Sequence, residues 1–315
     1  MRRMRIGVDL GGTNIAVGLV DEEGRIVATD SRPTKPERGY EAIAKDIADI
    51  AFELIKRSNL SVSDIKSMGI GVPGVADSEK GIVIRAVNLF WTKVPLAKEI
   101  RKYIDLPIYM GNDANVAALA EAIFGAGKGS KSSITLTLGT GVGSGFILDG
   151  KIYNGAHHFA LELGHIVIGD NGVRCNCGKI GCLETYASAT ALIREGKKAV
   201  EKNPNSLILK FANGDINSIT AKNVIDAAKQ YDEDAMRIFN DYVKYLAIGI
   251  VNVINMFDPE VIILGGGVAN AGDFLIKPLK KEVSENILFK DLPYADIRKA
   301  ELGNDAGIIG AAILD

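Results

Sequence analysis

Arg5–Thr29 reads RIGVDLGGTNIAVGLVDEEGRIVAT: two runs of small and branched apolar residues meeting at a glycine pair, then a polar turn and a third run. The alternation predicts strand, turn and strand, with a hairpin at Asp21–Gly24 and a further strand behind it. At the first turn stand Asp9, Leu10, Gly11, Gly12, Thr13 and Asn14. Glycines let the backbone approach a phosphate closely, a threonine hydroxyl can donate to its oxygens, and an aspartate at a strand end can hold a magnesium ion or its water. Taken alone, the same residues also fit a plain hairpin turn with incidental polar groups.

The pattern recurs. Ser133–Leu148, SITLTLGTGVGSGFIL, is again an apolar strand, a glycine turn (Leu138, Gly139, Thr140, Gly141) and another strand. A third glycine run, Gly265, Gly266 and Gly267, follows an apolar strand ending at Leu264 and precedes a helical stretch. The dinucleotide fingerprint GxGxxG fails at Ser144 and at Asn270, and Gly127-Lys128 is followed by Gly129, so it is no Walker A loop. The first two turns also lead into strands instead of helices. Two strand-turn-strand phosphate loops and a later glycine run point to an internally duplicated α/β fold with nucleotide in the cleft between its halves.

The chain has 315 residues, 47% of them hydrophobic, which supplies the core of two ordinary domains. A net charge of −2 gives no reason to expect nucleic acid or a membrane surface as partner. The opening MRRMR is basic but short, no apolar leader follows it, and no stretch approaches a membrane span. Tyr40 to Lys56 has apolar residues at helical spacing, Ser67 to Val72 reads as a buried strand, and the 236–254 stretch carries a long apolar stripe. Thr185 to Glu201 reads as one helix. Pro107 to Met110 is a strand, and Gly111, Asn112, Asp113, Ala114 and Asn115 open an alanine-rich helix. Asn and Asp cap helices, but three polar residues at one strand end exceed what a cap needs, and sites in α/β sheets collect there. Asp113 is the candidate catalytic carboxylate. With no linker dividing the chain, the expected boundary is a hinge near Asn112 to Gly125, giving a small lobe of residues 1–113 plus 303–315 and a large lobe of 114–302.

The densest chemistry lies in Glu162–Glu184, ELGHIVIGDNGVRCNCGKIGCLE, which holds all three cysteines, Cys175, Cys177 and Cys182, one of three histidines, His165, and a carboxylate at each end. Three thiolates and an imidazole are the donor set of a closed tetrahedral zinc site, and Asn176, Gly178 and Gly181 let the backbone wrap a small ion. Two other readings stay open: a disulfide, for which the count is odd and the Cys175/Cys177 spacing poor, and a catalytic thiol beside the histidine. Thiols kept for a metal suit a reducing cytoplasm.

Taken together, DLGGTN, the Asn112-Asp113 pair, LGTGVGSG, ELGH, CxCGxxGCLE and LGGGV resemble, in this order and over nearly the whole length, the ROK family of sugar kinases and repressors, and within it the bacterial and archaeal glucokinases. The resemblance implies an actin-like ATPase (ribonuclease H-like) fold of two lobes with ATP and sugar in a central cleft, assembled as a homodimer or homotetramer. It implies that Asp9, Gly11, Gly12, Thr13 and Asn14 meet phosphates and Mg2+, that Gly139, Thr140 and Gly141 form a second phosphate loop, and that Gly265, Gly266 and Gly267 lie by the adenosine. Asn112, Asp113, Glu162, His165 and Glu184 are then sugar ligands, joined by Gly74 and Asn88, while His165 also joins the cysteines on Zn2+. The implied reaction is transfer of the ATP γ-phosphoryl group to the 6-hydroxyl of glucose, with Asp113 as general base. The alternatives are a kinase for N-acetylglucosamine, N-acetylmannosamine, mannose or fructose, and a sugar-responsive regulator, whose DNA-binding segment would precede the first strand. Leu161 departs from the family pattern, in which a small residue commonly precedes the glutamate of ELGH.

Overall fold

The computed structural model describes residues 4–170 and 172–315, so the first three residues of the basic opening lie outside the described residues. The backbone packs into two units. One comprises the chain up to Lys131, Gly145–Leu161 and Glu301–Asp315; the other comprises Ser132–Ser144 and Glu162–Ala300.

In the first unit, β1 (Met4–Leu10), β2 (Asn14–Val20) and β3 (Ile26–Pro33) form an antiparallel meander, with Leu10 opposite Ile15 across the first glycine turn. The helix α1 (Tyr40–Arg57) buries Ile43, Ile47, Ile50 and Leu54 on one face and returns the chain so that β4 (Ile65–Val72) runs parallel to β1. A small antiparallel sheet follows, β5 (Val75–Asp77), β6 (Ile82–Ala86) and β7 (Trp91–Val94). Then α2 (Leu96–Ile100) leads to β8 (Ile108–Asn112), parallel to β4, and α3 (Asp113–Ile123) starts directly from its end. The strand order is β3-β2-β1-β4-β8. Of the eight residues of β4 all but Lys66 are buried, as a strand covered on both faces requires.

The remaining elements are β9 (Ser132–Leu138), β10 (Val142–Leu148), β11 (Lys151–Ile152), α4 (Glu184–Ala187), α5 (Ala189–Lys202), α6 (Leu207–Phe211), α7 (Ala221–Lys229), α8 (Glu233–Phe257), β12 (Val261–Gly265), α9 (Asp273–Asn286), β13 (Asp296–Lys299) and α10 (Ala306–Ala312). The second sheet has the order β11-β10-β9-β12-β13. Counted within each sheet, both run third, second, first, fourth, fifth, which is the duplication the repeated glycine turns suggest. Helix starts follow their caps: Thr220 and Asn223 form a capping box on α7, and Asp232 caps α8 through the Ala235 amide at 2.9 Å. The α8 stripe, including Phe239, Tyr242, Leu246 and Ile250, is buried.

Two expectations differ from the structure. Thr185 to Glu201 is not one helix: Ser188 is extended (φ −102°, ψ 167°) and its hydroxyl caps α5 at the Ala191 amide, 3.1 Å away, dividing α4 from α5. The boundary expected after residue 113 also moves, because α3 and residues 145–161 pack with the first unit. The reason lies in α10, where a methyl group on Gly310 would overlap the carbonyl oxygen of Val116 in α3. Gly7 and Gly69 seat the same helix on β1 and β4, their missing side chains making room for the backbone of Ile308 and Ala311. Among the described residues no helix is long and apolar enough to cross a membrane.

Candidate active site and metal centre

The first unit carries the first glycine turn and Asp113. The turn closes through the Gly11 amide donating to the Asn14 carbonyl (2.9 Å), and Thr34 braces it from outside: its hydroxyl donates to the Gly11 carbonyl (2.7 Å) and its amide to the Thr13 carbonyl (3.0 Å). Thr34 is fully buried and was not among the predicted residues; only its place just after β3 could have pointed to it. Asp9, on β1 beside the turn, accepts no hydrogen bond among the described residues, and burial pushes its carboxyl above the ordinary aspartate range. Gly307 of α10 leaves room for it, since a methyl there would come within 2.7 Å of Asp9 Oδ2. A half-buried carboxylate without a donor, at a turn with exposed Thr13, fits a hydrated divalent cation.

Asn112 serves as a structural hub. Its Oδ1 caps α3 by accepting from the Asn115 amide (3.1 Å), and its Nδ2 donates to the Gly74 carbonyl (3.1 Å). Gly74 is at φ 143°, in tight contact with the Arg85 carbonyl, so no side chain fits there. Asn88 lies against Gly12, 3.2 Å from where its Cβ would stand. The first unit thus ties Gly12 to Asn88 and Gly74 to Asn112, with Asp113 exposed at the first turn of α3 and its Oδ1 accepting from the Ala114 amide (2.8 Å).

The second unit holds the second glycine turn more elaborately. The Gly139 amide donates to the Gly141 carbonyl (3.0 Å). The start of α5 binds the turn from behind: the Ala189 amide donates to the Gly139 carbonyl (2.8 Å) and the Thr190 hydroxyl to the Thr140 carbonyl (2.7 Å). Glu184 accepts from the Val142 amide through Oε2 (3.0 Å) and fills the space a side chain on Gly141 would need. Gly266, at φ 82°, sits against the Leu138 backbone, so the third glycine run adjoins the base of the second turn. Open space faces Gly139 and Gly267.

His165, Cys175, Cys177 and Cys182 place their donor atoms within 4.8 Å of one another. Short backbone pairings build the enclosure: the Ile168 amide to the Gly181 carbonyl (2.9 Å), the Leu183 amide to the Ile166 carbonyl (2.9 Å) and the Cys175 amide to the Lys179 carbonyl (2.8 Å). Cys177 and Cys182 are 3.5 Å apart at sulfur, and Cys175 Sγ is 3.5 Å from His165 Nδ1. A disulfide needs about 2.05 Å, and all three thiols are free. A tetrahedral ion with bonds of about 2.3 Å sets its sulfurs roughly 3.8 Å apart, which this spacing approaches. Burial pushes the Cys175 thiol up to about 12 and raises Cys182, whereas the backbone amide of Lys179 holds Cys177 below the ordinary thiol range. Glu184 connects this cluster to the glycine turn, since its other oxygen, Oε1, is 3.7 Å from Cys175 Sγ. Glu162, exposed, precedes the short turn that carries His165, and its carbonyl accepts from the His165 amide (3.0 Å).

Compared with known proteins, residues 5–315 match the ROK family. The chain belongs to the ROK family. The glucokinase of Halalkalibacterium halodurans is 40% identical over 314 residues, 99% of this chain and 94% of that one. The glucokinase of Thermotoga maritima is also 40% identical, over 98% of this chain and 95% of its own. The crystal structure of a ROK family glucokinase from Streptomyces griseus in complex with glucose and AMPPNP superposes with a TM-score of 0.84 at 36% identity, covering 99% of this chain and 98% of that one. The ROK protein described here therefore has the actin-like ATPase fold, as its duplicated sheets indicate.

Proposed function

We propose that the protein is an ATP-dependent glucokinase that transfers the γ-phosphoryl group to the 6-hydroxyl of glucose. The observation carrying this reading is near full-length identity of 40% with two glucokinases, joined to a structural likeness to a glucokinase that holds glucose and AMPPNP. The residues support the same chemistry. Asp113 would orient the acceptor hydroxyl and take its proton; an ordinary aspartate, with a pKa of about 3.9, is a weak base, which suits a loose transition state with late proton transfer. Asn112, Glu162, His165 and Glu184 would bind the sugar hydroxyls, with Gly74 and Asn88 shaping the approach. The amides of Gly11–Asn14 and Gly139–Gly141 would cradle the phosphates, and Gly265–Gly267 the adenosine. Asp9 would hold Mg2+, which when bound offsets phosphate charge.

The cysteines and His165 would hold a structural Zn2+, which when bound crosslinks the 165–182 loop. The same ligation fixes the His165 tautomer and thereby the ring nitrogen left for the sugar. Thiols kept reduced for a metal suit a cytoplasmic setting.

A coupled assay of ATP consumption over glucose, mannose, fructose, N-acetylglucosamine and N-acetylmannosamine tests the reading. Glucose is expected to give the highest kcat/KM. A preference of about tenfold or more for another sugar, which contacts in one pocket can produce, would reassign the substrate, and ATP turnover with none of them would reject the kinase.

A further inference from the structure

The second unit has a cavity of about 290 Å³ between α5 and α8, bordered by Val173 of the cysteine loop and Tyr186 of α4. It is near the lower end of ligand pockets, which run from about 300 Å³ upward. On α5 its lining residues are Ala191, Leu192, Arg194, Glu195 and Lys198, and Thr190, which binds the glycine turn, is not among them. None of the residues assigned to phosphate, sugar or metal lines it.

Its chemistry is specific. Tyr186 and Tyr245 pack with ring centroids 4.3 Å apart and offer an aromatic wall. Arg194, Lys198 and Arg237 bring three cations, and Lys198 is paired with Glu195, also in the lining, at 3.1 Å. Arg194 uses Nε on Glu195 (2.8 Å) and one terminal nitrogen on the Thr185 carbonyl (2.8 Å), and Arg237 uses one nitrogen on Asp234 (3.3 Å), so each guanidinium keeps donors in reserve. Asp241 makes no ion pair among the described residues. Tyr242 also lines the cavity; it is 2% exposed, and its hydroxyl has no hydrogen-bond partner among the described residues.

We infer that this cavity binds a phosphorylated hexose, separately from the catalytic site. The phosphate meets Arg237, Lys198 and the free donor of Arg194. The sugar ring lies on the tyrosine wall, and Asp241 accepts from its hydroxyls. The choice of a hexose phosphate rests on the sugar-kinase reading; the cavity does not. Occupancy is also placed to be felt elsewhere, because Arg194 holds the Thr185 carbonyl and the Thr185 hydroxyl holds the Cys182 carbonyl (2.8 Å).

The test titrates glucose 6-phosphate calorimetrically into the full chain saturated with glucose and AMPPNP, so that the catalytic site is filled. One equivalent per chain is expected to bind, weakened about tenfold in Tyr245→Leu, which removes half of the aromatic wall, and by more in Arg237→Ala. Both variants should keep wild-type kcat in the absence of the probe. Absence of binding, or equal affinity in both variants, overturns the inference, as does glucose competing as well as its phosphate. Protection of residues 237–245 from hydrogen exchange that follows protein concentration and ignores the probe would make the face an interface between copies and likewise overturn it. Should glucose and AMPPNP themselves fail to bind, the kinase reading falls, while the contrast between wild type and Arg237→Ala still decides the cavity.

Discussion

The two glycine turns occupy equivalent places in duplicated sheets, yet they are supported in opposite ways. The turn at Gly11–Asn14 is held by its own backbone and by one buried threonine just past β3. The turn at Gly139–Gly141 leans on α4 and α5, and through Glu184 it reaches the cysteine cluster. The first is thus shaped by a sheet that forms it directly, and the second by two helices and by a glutamate that also meets the cysteine cluster. Duplication conserves the device; it does not conserve what keeps the device in shape.

The largest expected effect separates chemistry from architecture. Asp113→Asn should lower kcat by about 10²- to 10⁴-fold, the range of general-base catalysis, with the cysteine cluster intact and glucose binding still measurable by calorimetry; an active variant would remove the base assignment. Metal removal breaks the comparison at its weaker side. Chelation, or Cys182→Ser, should destabilise the second unit by about 4 kcal/mol if the metal is present at some 1,000 times its Kd. Hydrogen exchange should then quicken at residues 139–142 together with 166–183 and stay unchanged at 11–14. Equal quickening at both turns would refute the asymmetry.

These contrasts concern the features that were hardest to read from sequence. The strands around both turns and the cysteine loop were legible, because each is written in neighbouring residues. The break at Ser188 was not, since Tyr-Ala-Ser-Ala-Thr holds no glycine or proline to mark it, and only the cap on Ala191 shows why the helix restarts. Thr34 was hidden because its partners are 23 and 21 positions away, at Gly11 and Thr13. Placing α3 with the first unit required knowing that Gly310 meets Val116, a long-range contact that no local pattern announces. Glu184 was singled out as a sugar ligand, but its bond to the Val142 amide belongs to the folded turn alone.

Smaller changes sharpen the picture. Glu184→Ala leaves the Val142 amide without its acceptor, a loss of about 1–3 kcal/mol, and should raise the KM for ATP by roughly tenfold with metal content retained. Thr34→Val should cost about 1 kcal/mol in denaturant titration and raise the same KM less, with no change in the exchange of residues 139–142. The smallest effect is on pH dependence. Burial raises the Asp9 carboxyl in the folded state above its unfolded value, so its cost to stability is absent at acid pH and sets in as pH rises through the folded value. Asp9→Asn should therefore melt above wild type at neutral pH, with the gap closing in acid, while losing magnesium-dependent turnover. A lower melting temperature at neutral pH would contradict this.

The seat of α10 has a consequence for how the molecule is made. Gly7, on β1, is shaped to receive the backbone of Ile308, which is made much later in synthesis. Residues 132–300 can therefore begin to close their own sheet while the earlier-made half still lacks its covering helix. During synthesis the strands of the first sheet would wait with one apolar face uncovered, a stage open to aggregation and to chaperone capture.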